Sequence, residues 1–80
     1  MTKLSQAQNS NTSPETLSVL ATDEDKYVRC GVARNPSTSP ETLQVLATDE
    51  DWMIRYEVTQ NPNATELIRR LVLMTDSQAK

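Results

Sequence analysis

Asn35-Pro36-Ser37-Thr38-Ser39-Pro40-Glu41-Thr42-Leu43-Gln44-Val45-Leu46-Ala47-Thr48-Asp49-Glu50-Asp51 decides the architecture, because the same words have already been used once. Setting Thr12 to Pro36 against Thr38 to Pro62, 26 residues on, gives 17 identities in 25 positions, with an unbroken Thr-Ser-Pro-Glu-Thr-Leu and Val-Leu-Ala-Thr-Asp-Glu-Asp. A fixed period of this size signals a stacked array in which each unit covers its neighbour's apolar face. A third copy follows Asn61-Pro62 if one residue is dropped, placing Glu66 on Glu41, Ile68 on Leu43, Leu71 on Leu46 and Val72 on Ala47. Ahead of the first copy, Lys3, Ala7, Asn9 and Asn11 lie 26 residues before Arg29, Ala33, Asn35 and Ser37. The expected organisation is one domain: residues 1–10 a degenerate half-repeat or tail, 11–36 the first repeat, 37–62 the second, 63–76 a partial third serving as a C-terminal cap helix, and 77–80 a tail.

Each unit carries its own start and stop signals. Ser13-Pro14-Glu15 and Ser39-Pro40-Glu41 supply an N-cap hydroxyl, a proline where its missing N–H does no harm, and a carboxylate at the positive end of the helix dipole. Leu17, Leu20 and Ala21, like Leu43, Leu46 and Ala47, then form one apolar stripe. A second short helix is expected after the acidic triplets Asp23-Glu24-Asp25 and Asp49-Glu50-Asp51, carried by Val28 and Val32 and by Ile54 and Val58. It should stop at Asn35-Pro36 and Asn61-Pro62, since proline disfavours helical geometry in the residue before it. Helices this short do not stand alone in water, so stacking must stabilise them. The reading is all-α: a short right-handed α-solenoid of helix-turn-helix repeats, armadillo or HEAT-like, with the second helix of each repeat short or 3₁₀.

This run, followed by a β-branched residue and Arg, resembles the leucine-rich repeat variant family, a bacterial relative of HEAT and armadillo repeats, from Asn11 to about Asp76. The Asn-Pro turn, the Pro-Glu-x-Leu helix start and the Asp-x-Asp-x-x-Val-Arg stretch recur in that family. The resemblance implies a binding scaffold of unstated purpose, because such folds serve many functions. One family member carries a cysteine cluster for an iron–sulfur centre ahead of its repeats. Here Cys30 is the only cysteine and lies inside a repeat, so no such role is implied, and no cofactor is expected.

Composition narrows the function further. The chain has 80 residues, a formal charge of −3, no His, no Phe and three aromatic residues, Tyr27, Trp52 and Tyr56, so the core must be aliphatic. The acidic balance argues against a surface that neutralises many phosphates. A rival reading keeps nucleic-acid binding through Arg29, Arg34, Arg55, Arg69 and Arg70 on one face of the stack. Neither a secretory signal nor a membrane-spanning stretch is visible, so a cytoplasmic protein is expected. No nucleophile–base pair, metal cluster or phosphate loop suggests an enzyme.

Several positions admit two readings. The acidic triplets could hold a cation, but they lack the further oxygens and the glycine turn of calcium loops, and helix capping explains them better. Arg29 and Arg55, at equal places in successive units, either fork onto a carboxylate or turn carbonyl of their own or the next repeat, or form a ladder that grips an acidic partner. Cys30 is either a small half-buried helix residue or a reactive thiol. Gly31, the only glycine, falls where helix is expected, which points to a crowded helix contact. The two copies differ mainly on the second helix, at Lys26/Trp52, Tyr27/Met53, Cys30/Tyr56 and Gly31/Glu57. Trp52, Met53 and Tyr56, with Tyr27, Arg29 and Arg55, are therefore the candidate partner-binding surface, for a protein partner or a second copy in a homodimer. The competing reading of the three large residues is that they fill gaps in a small core or cover an end of the stack.

Overall fold

Six helices and the turns between them account for the computed structural model, which describes residues 2–78, with side chains through Asp76. They are α1 (Lys3–Gln8), α2 (Pro14–Leu20), α3 (Lys26–Arg34), α4 (Pro40–Leu46), α5 (Trp52–Gln60) and α6 (Glu66–Gln78), with no strand among the described residues. The particle is elongated, 38 × 22 × 16 Å, as expected of a stack that grows in one direction.

The helix boundaries follow from the caps. Ser13 and Ser39 accept the backbone N–H of Thr16 and Thr42, each followed by proline at the first helical position. Asp25 and Asp51 cap α3 and α5 by accepting from Tyr27 and Met53. Asn35 and Asn61, each before a proline, have extended backbone and end α3 and α5. Of the two forms considered for the second helix, the structure shows α-helix, nine residues long against seven for the first. α6 continues through Gln78, two residues into the stretch read as a tail, and Ala79 and Lys80 lie outside the described residues.

The core is aliphatic throughout. Leu17, Leu20, Val28 and Val32 from one unit and Leu43, Leu46, Ile54 and Val58 from the next join Ala7, Ile68 and Val72 in one buried cluster. Successive second helices pack directly, α1 on α3 and α3 on α5, and α6 closes against α4 and α5. Gly31 is at such a contact: a Cβ there would stand 3.0 Å from the Cβ of Ala7, the crowding that the lone glycine suggested.

Side chain-to-backbone hydrogen bonds join the units in ladders. The Asn35 amide donates to the carbonyls of Ala7 and Asn9 (2.8 and 2.9 Å), and Asn61 repeats this 26 residues on, donating to Ala33 and Asn35 (2.8 and 2.9 Å). Each buried Asn also accepts from the N–H two residues later, closing the turn. Thr12 and Thr38 hydroxyls take the carbonyls of Gln6 and Val32, both at 2.7 Å. These contacts use backbone groups that would otherwise be orphaned at helix ends. Identity between the two copies is thus a bonding requirement as much as a packing one.

The third unit departs in an instructive way. Its turn and cap keep the 26-residue step, with Ala64 donating to Asn61 as Thr38 does to Asn35, and Thr65 accepting from Ile68 as Ser39 does from Thr42. Its buried Ile68 and Val72 keep that step too, standing where α4 has buried Thr42 and Leu46, but exposed Arg69 and Leu73 stand where the second unit has buried Leu43 and Ala47. The buried face of α6 is therefore narrower than that of α4.

Candidate functional site

The second-helix positions singled out in the sequence divide into two groups of opposite character. Tyr27, Trp52, Met53 and Tyr56 are exposed by 64, 63, 48 and 52%, so none of them fills the core. Their place on the helices explains it: α3 and α5 bury Val28 and Val32, and Ile54 and Val58, leaving Tyr27, Met53 and Tyr56 on the side away from the stack. Between α3 and α5 lies an open groove of about 510 Å³ lined by Lys26, Tyr27, Cys30, Trp52 and Met53. A second groove, about 430 Å³, lies between α1 and α3 and shares Tyr27 and Cys30, with Leu4 and Arg34 on its walls. The Lys26 ammonium sits 5.5 Å from the Tyr27 ring centre, a cation–π distance.

Arg29 and Arg55 belong to the other group, and their assignment to an exposed partner surface is corrected. Arg29 donates through Nε to Asp49 of the following unit at 2.9 Å and through Nη1 to the carbonyls of Asp23 and Glu24. Asp49, above all through its hydrogen bond, together with its charge, raises the guanidinium pKa further. Arg55 is buried and repeats the arrangement, donating to the Asp49 carbonyl at 2.6 Å and to the Asp76 carboxylate at 2.6 Å. Lys3, 26 residues before Arg29, pairs with Asp23 at 3.0 Å. The three contacts form one ladder of cation–carboxylate rungs along the stack, each joining a second helix to the element that follows.

The ladder also absorbs the acidic triplets. Asp23 accepts from the Asp25 N–H and Asp49 from the Asp51 N–H. The backbone hydrogen bond from Asp25, then the pairing with Lys3, holds the Asp23 carboxyl below its ordinary range, and Asp23 in turn raises Lys3. Capping and rung formation use the four aspartates of the triplets, Asp23, Asp25, Asp49 and Asp51. No group of three or more potential metal-ligating side chains occurs among the described residues.

Each of the five arginines of the rival reading has an acceptor or a carboxylate neighbour within the chain. Arg29 and Arg55 are engaged internally, Arg69 donates to the Thr59 carbonyl at 3.2 Å, Arg70 pairs with Glu66 at 3.2 Å and Arg34 lies 3.8 Å from Glu57. Cys30 is half-buried, and burial, then the nearby Glu57 charge, pushes its thiol above the ordinary cysteine value, which disfavours the thiolate that reactive cysteines need. Sequence reasoning missed Asn35 and Asn61 as joints between units, having read them as helix stops. Their invariance between copies beside a chemically sufficient Pro was the available signal.

The fold defines a helical-repeat protein whose units are joined by side chain-to-backbone ladders. Residues 28–51 match the family model described as leucine rich repeat variant, from the first turn of α3 to the cap of α5, and the family resemblance read from the repeat stands on that match. No curated protein and no solved structure matches the chain. No helix among the described residues is long and apolar enough to cross a membrane.

Proposed function

We propose that this chain is a non-catalytic, cytoplasmic protein-interaction scaffold whose second-helix face, centred on Trp52, Met53, Tyr56 and Tyr27, binds a protein partner. The observation that carries the reading is the exposure of these four large side chains, about half to two-thirds each, on helices whose opposite sides are packed and bonded. Trp and Tyr are enriched in binding hot spots, and flexible Met is common on adaptable binding surfaces. The grooves beside Tyr27 and Cys30 would seat a partner's apolar side chains. Packing requires none of the four residues, and they differ between units whose structural positions are otherwise the same. That pattern is expected where a surface is shaped for a partner.

The experiment is capture of binding partners by the tagged chain and by a Trp52→Ala, Tyr56→Ala variant, each with nuclease treatment, after circular dichroism has shown equal helix content. A partner retained by the native chain through nuclease and lost by the variant supports the reading. Equal capture by both chains removes this face from the function. Binding that disappears with nuclease, and weakens steeply with salt, transfers the function to nucleic acid.

A further inference from the structure

The exposed aromatic face borders the place where the chain's net charge is concentrated. Glu24 and Asp25 precede α3, and Glu50 and Asp51 precede α5. Taken with Lys26, these four carboxylates carry −3, the formal charge of the whole chain, because the other seven acidic and seven basic residues cancel. The charges are open to solvent: Glu24, Asp25 and Glu50 are exposed, and Asp51 is half-buried. Asp25 and Asp51 each use Oδ1 to cap a helix and keep the second oxygen and the charge. Glu50 stands 3.9 Å from Arg29, too far for a hydrogen bond, with its side chain 90% exposed.

The difference between the two copies shows what this patch suits. In the first, Lys26 follows the cap residue Asp25, and its ammonium lies over the neighbouring Tyr27 ring. In the second, Trp52 follows the cap residue Asp51, so at the same place in the helix an indole replaces the cation. Trp is the aromatic that attracts cations best, and here it is exposed next to Glu50 and Asp51. Ring and carboxylates act in the same sense. The groove that Trp52 borders is lined also by Cys30, Met53 and Ile54, which suit an aliphatic side chain.

Resting on the partner-binding reading of this face, we infer that the bound segment of the partner is a basic peptide. Its arginine or lysine stacks on Trp52 beside Glu50 and Asp51, and an adjacent aliphatic side chain enters the groove between α3 and α5. Arginine fits better than lysine, since its planar group stacks on the indole while its N–H groups reach a carboxylate. A second copy of this chain is a poor occupant, because it would bring the same −3 to the contact.

The probe is a synthetic peptide of alternating arginine, leucine and glycine, titrated into the isotopically labelled full chain and followed by NMR. The largest shifts are expected at Glu24 to Tyr27, Cys30 and Glu50 to Met53, with binding that weakens as salt rises toward about 1 M. Trp52→Lys, which copies the first unit, should weaken binding about tenfold. Glu50→Gln with Asp51→Asn should weaken it about fivefold and keep the α5 cap, because asparagine caps as well as aspartate. Circular dichroism checks that both variants keep native helix content. No binding by the native chain at about 1 mM peptide overturns the inference. So does equal binding of a peptide with glutamate in place of arginine or glycine in place of leucine, or an unchanged affinity in Trp52→Lys. Shifts as large at Glu15 and Glu41, exposed carboxylates outside the patch, overturn it as well. A captured partner that is lost with Trp52→Ala and Tyr56→Ala but fully retained by Glu50→Gln with Asp51→Asn overturns the basic segment alone and leaves the binding face standing. Equal capture by the native chain and the Trp52→Ala, Tyr56→Ala variant overturns the reading of the face, and this inference with it.

Discussion

The first helix and the last helix both flank the repeated units, and they do so by different chemistry. α1 keeps the interior contacts of a second helix, with buried Ala7 against Gly31 and its carbonyls accepting from Asn35, but Thr2 and Gln6 stand where α3 has Val28 and Val32. α6 has the opposite design. It takes over two ladder positions: Arg69 donates to the Thr59 carbonyl, the counterpart of the Ala33 carbonyl bonded by Asn61, and Asp76 receives Arg55 as Asp49 receives Arg29. Yet it leaves Leu67 and Met74 in solvent. Polar satisfaction and apolar coverage are thus separable requirements at the limits of a stack: α1 meets the second with polar residues, and α6 meets only the first.

The comparison can be broken most directly at the joints between units. Asn61→Ala removes two donors from the buried carbonyls of Ala33 and Asn35 and opens the turn closed by Asn63. A buried polar group left without a partner costs about 1–3 kcal/mol, so a loss of about 3 kcal/mol is expected in a denaturant melt. Asn9→Ala, at the half-buried position in front of the ladder, should cost under about 1 kcal/mol, since Asn9 Oδ1 accepts only the exposed Asn11 N–H. Equal losses would mean that the ladder is no stronger inside the stack than at its edge.

The cation–carboxylate rungs give a smaller effect. Asp76→Ala leaves the buried Arg55 with one of its two partners, and because the Asp76 side chain is about half exposed, the loss should be about 1 kcal/mol. It should also loosen the last turns of α6, visible as faster amide exchange from Leu71 onward while α3 stays protected. Unchanged exchange in α6 would show that Ile68 and Val72 hold the helix without the rung.

The first rung is sensitive to pH rather than to burial. Asp23 has a lowered carboxyl pKa in the folded chain, so its contribution is complete above the ordinary Asp value of about 3.9 and is lost as pH falls through the lower folded value. Lys3 has a raised pKa, so its contribution is complete below the ordinary Lys value of about 10.4 and is lost as pH rises through the folded value. Between these limits α1 should stay docked. An NMR titration should place the Asp23 midpoint below that of a model carboxylate, and Lys3→Ala should bring it back part of the way. The part that remains lowered belongs to the Asp25 N–H, the larger cause of the shift.

Much of this was legible in the sequence for a physical reason. A helix start needs a hydroxyl cap, a tolerated proline and a carboxylate in adjacent positions, and those needs are local, so Ser13-Pro14-Glu15 and Ser39-Pro40-Glu41 announced α2 and α4. The stops at Asn35 and Asn61 were local as well. The joints were not: the bonds from Asn61 to Ala33 and from Arg29 to Asp49 span 28 and 20 residues, and the local reading had already given Asn61 and Asp49 sufficient work. Exposure was beyond reach for the same reason. Nothing within Trp52-Met53-Ile54-Arg55-Tyr56 says which side the neighbouring helix covers, and so Arg55, which is buried, was grouped with Trp52, which is not.

Gly31 carries the smallest expected effect and tests how firmly α1 is held. Replacing a helix-interior glycine by alanine stabilises an unstrained helix by about 1 kcal/mol. Against this, the new Cβ would meet the Ala7 Cβ at 3.0 Å, closer than ordinary van der Waals contact, so α1 must move by a few tenths of an ångström. The next unit has Glu57 at the equivalent place, half-buried beside α3, so the stack geometry accepts a Cβ there when the spacing adjusts. α1 is short, with polar Thr2, Ser5 and Gln6 on its outer positions, and is therefore the element best able to give way. Gly31→Ala should raise stability slightly, by no more than about 1 kcal/mol, because relief of the contact by a small shift of α1 costs less than the propensity gain. A loss of about 2 kcal/mol or more would show the reverse, that α1 is fixed by the Asn35 bonds as rigidly as α3 is by those of Asn61.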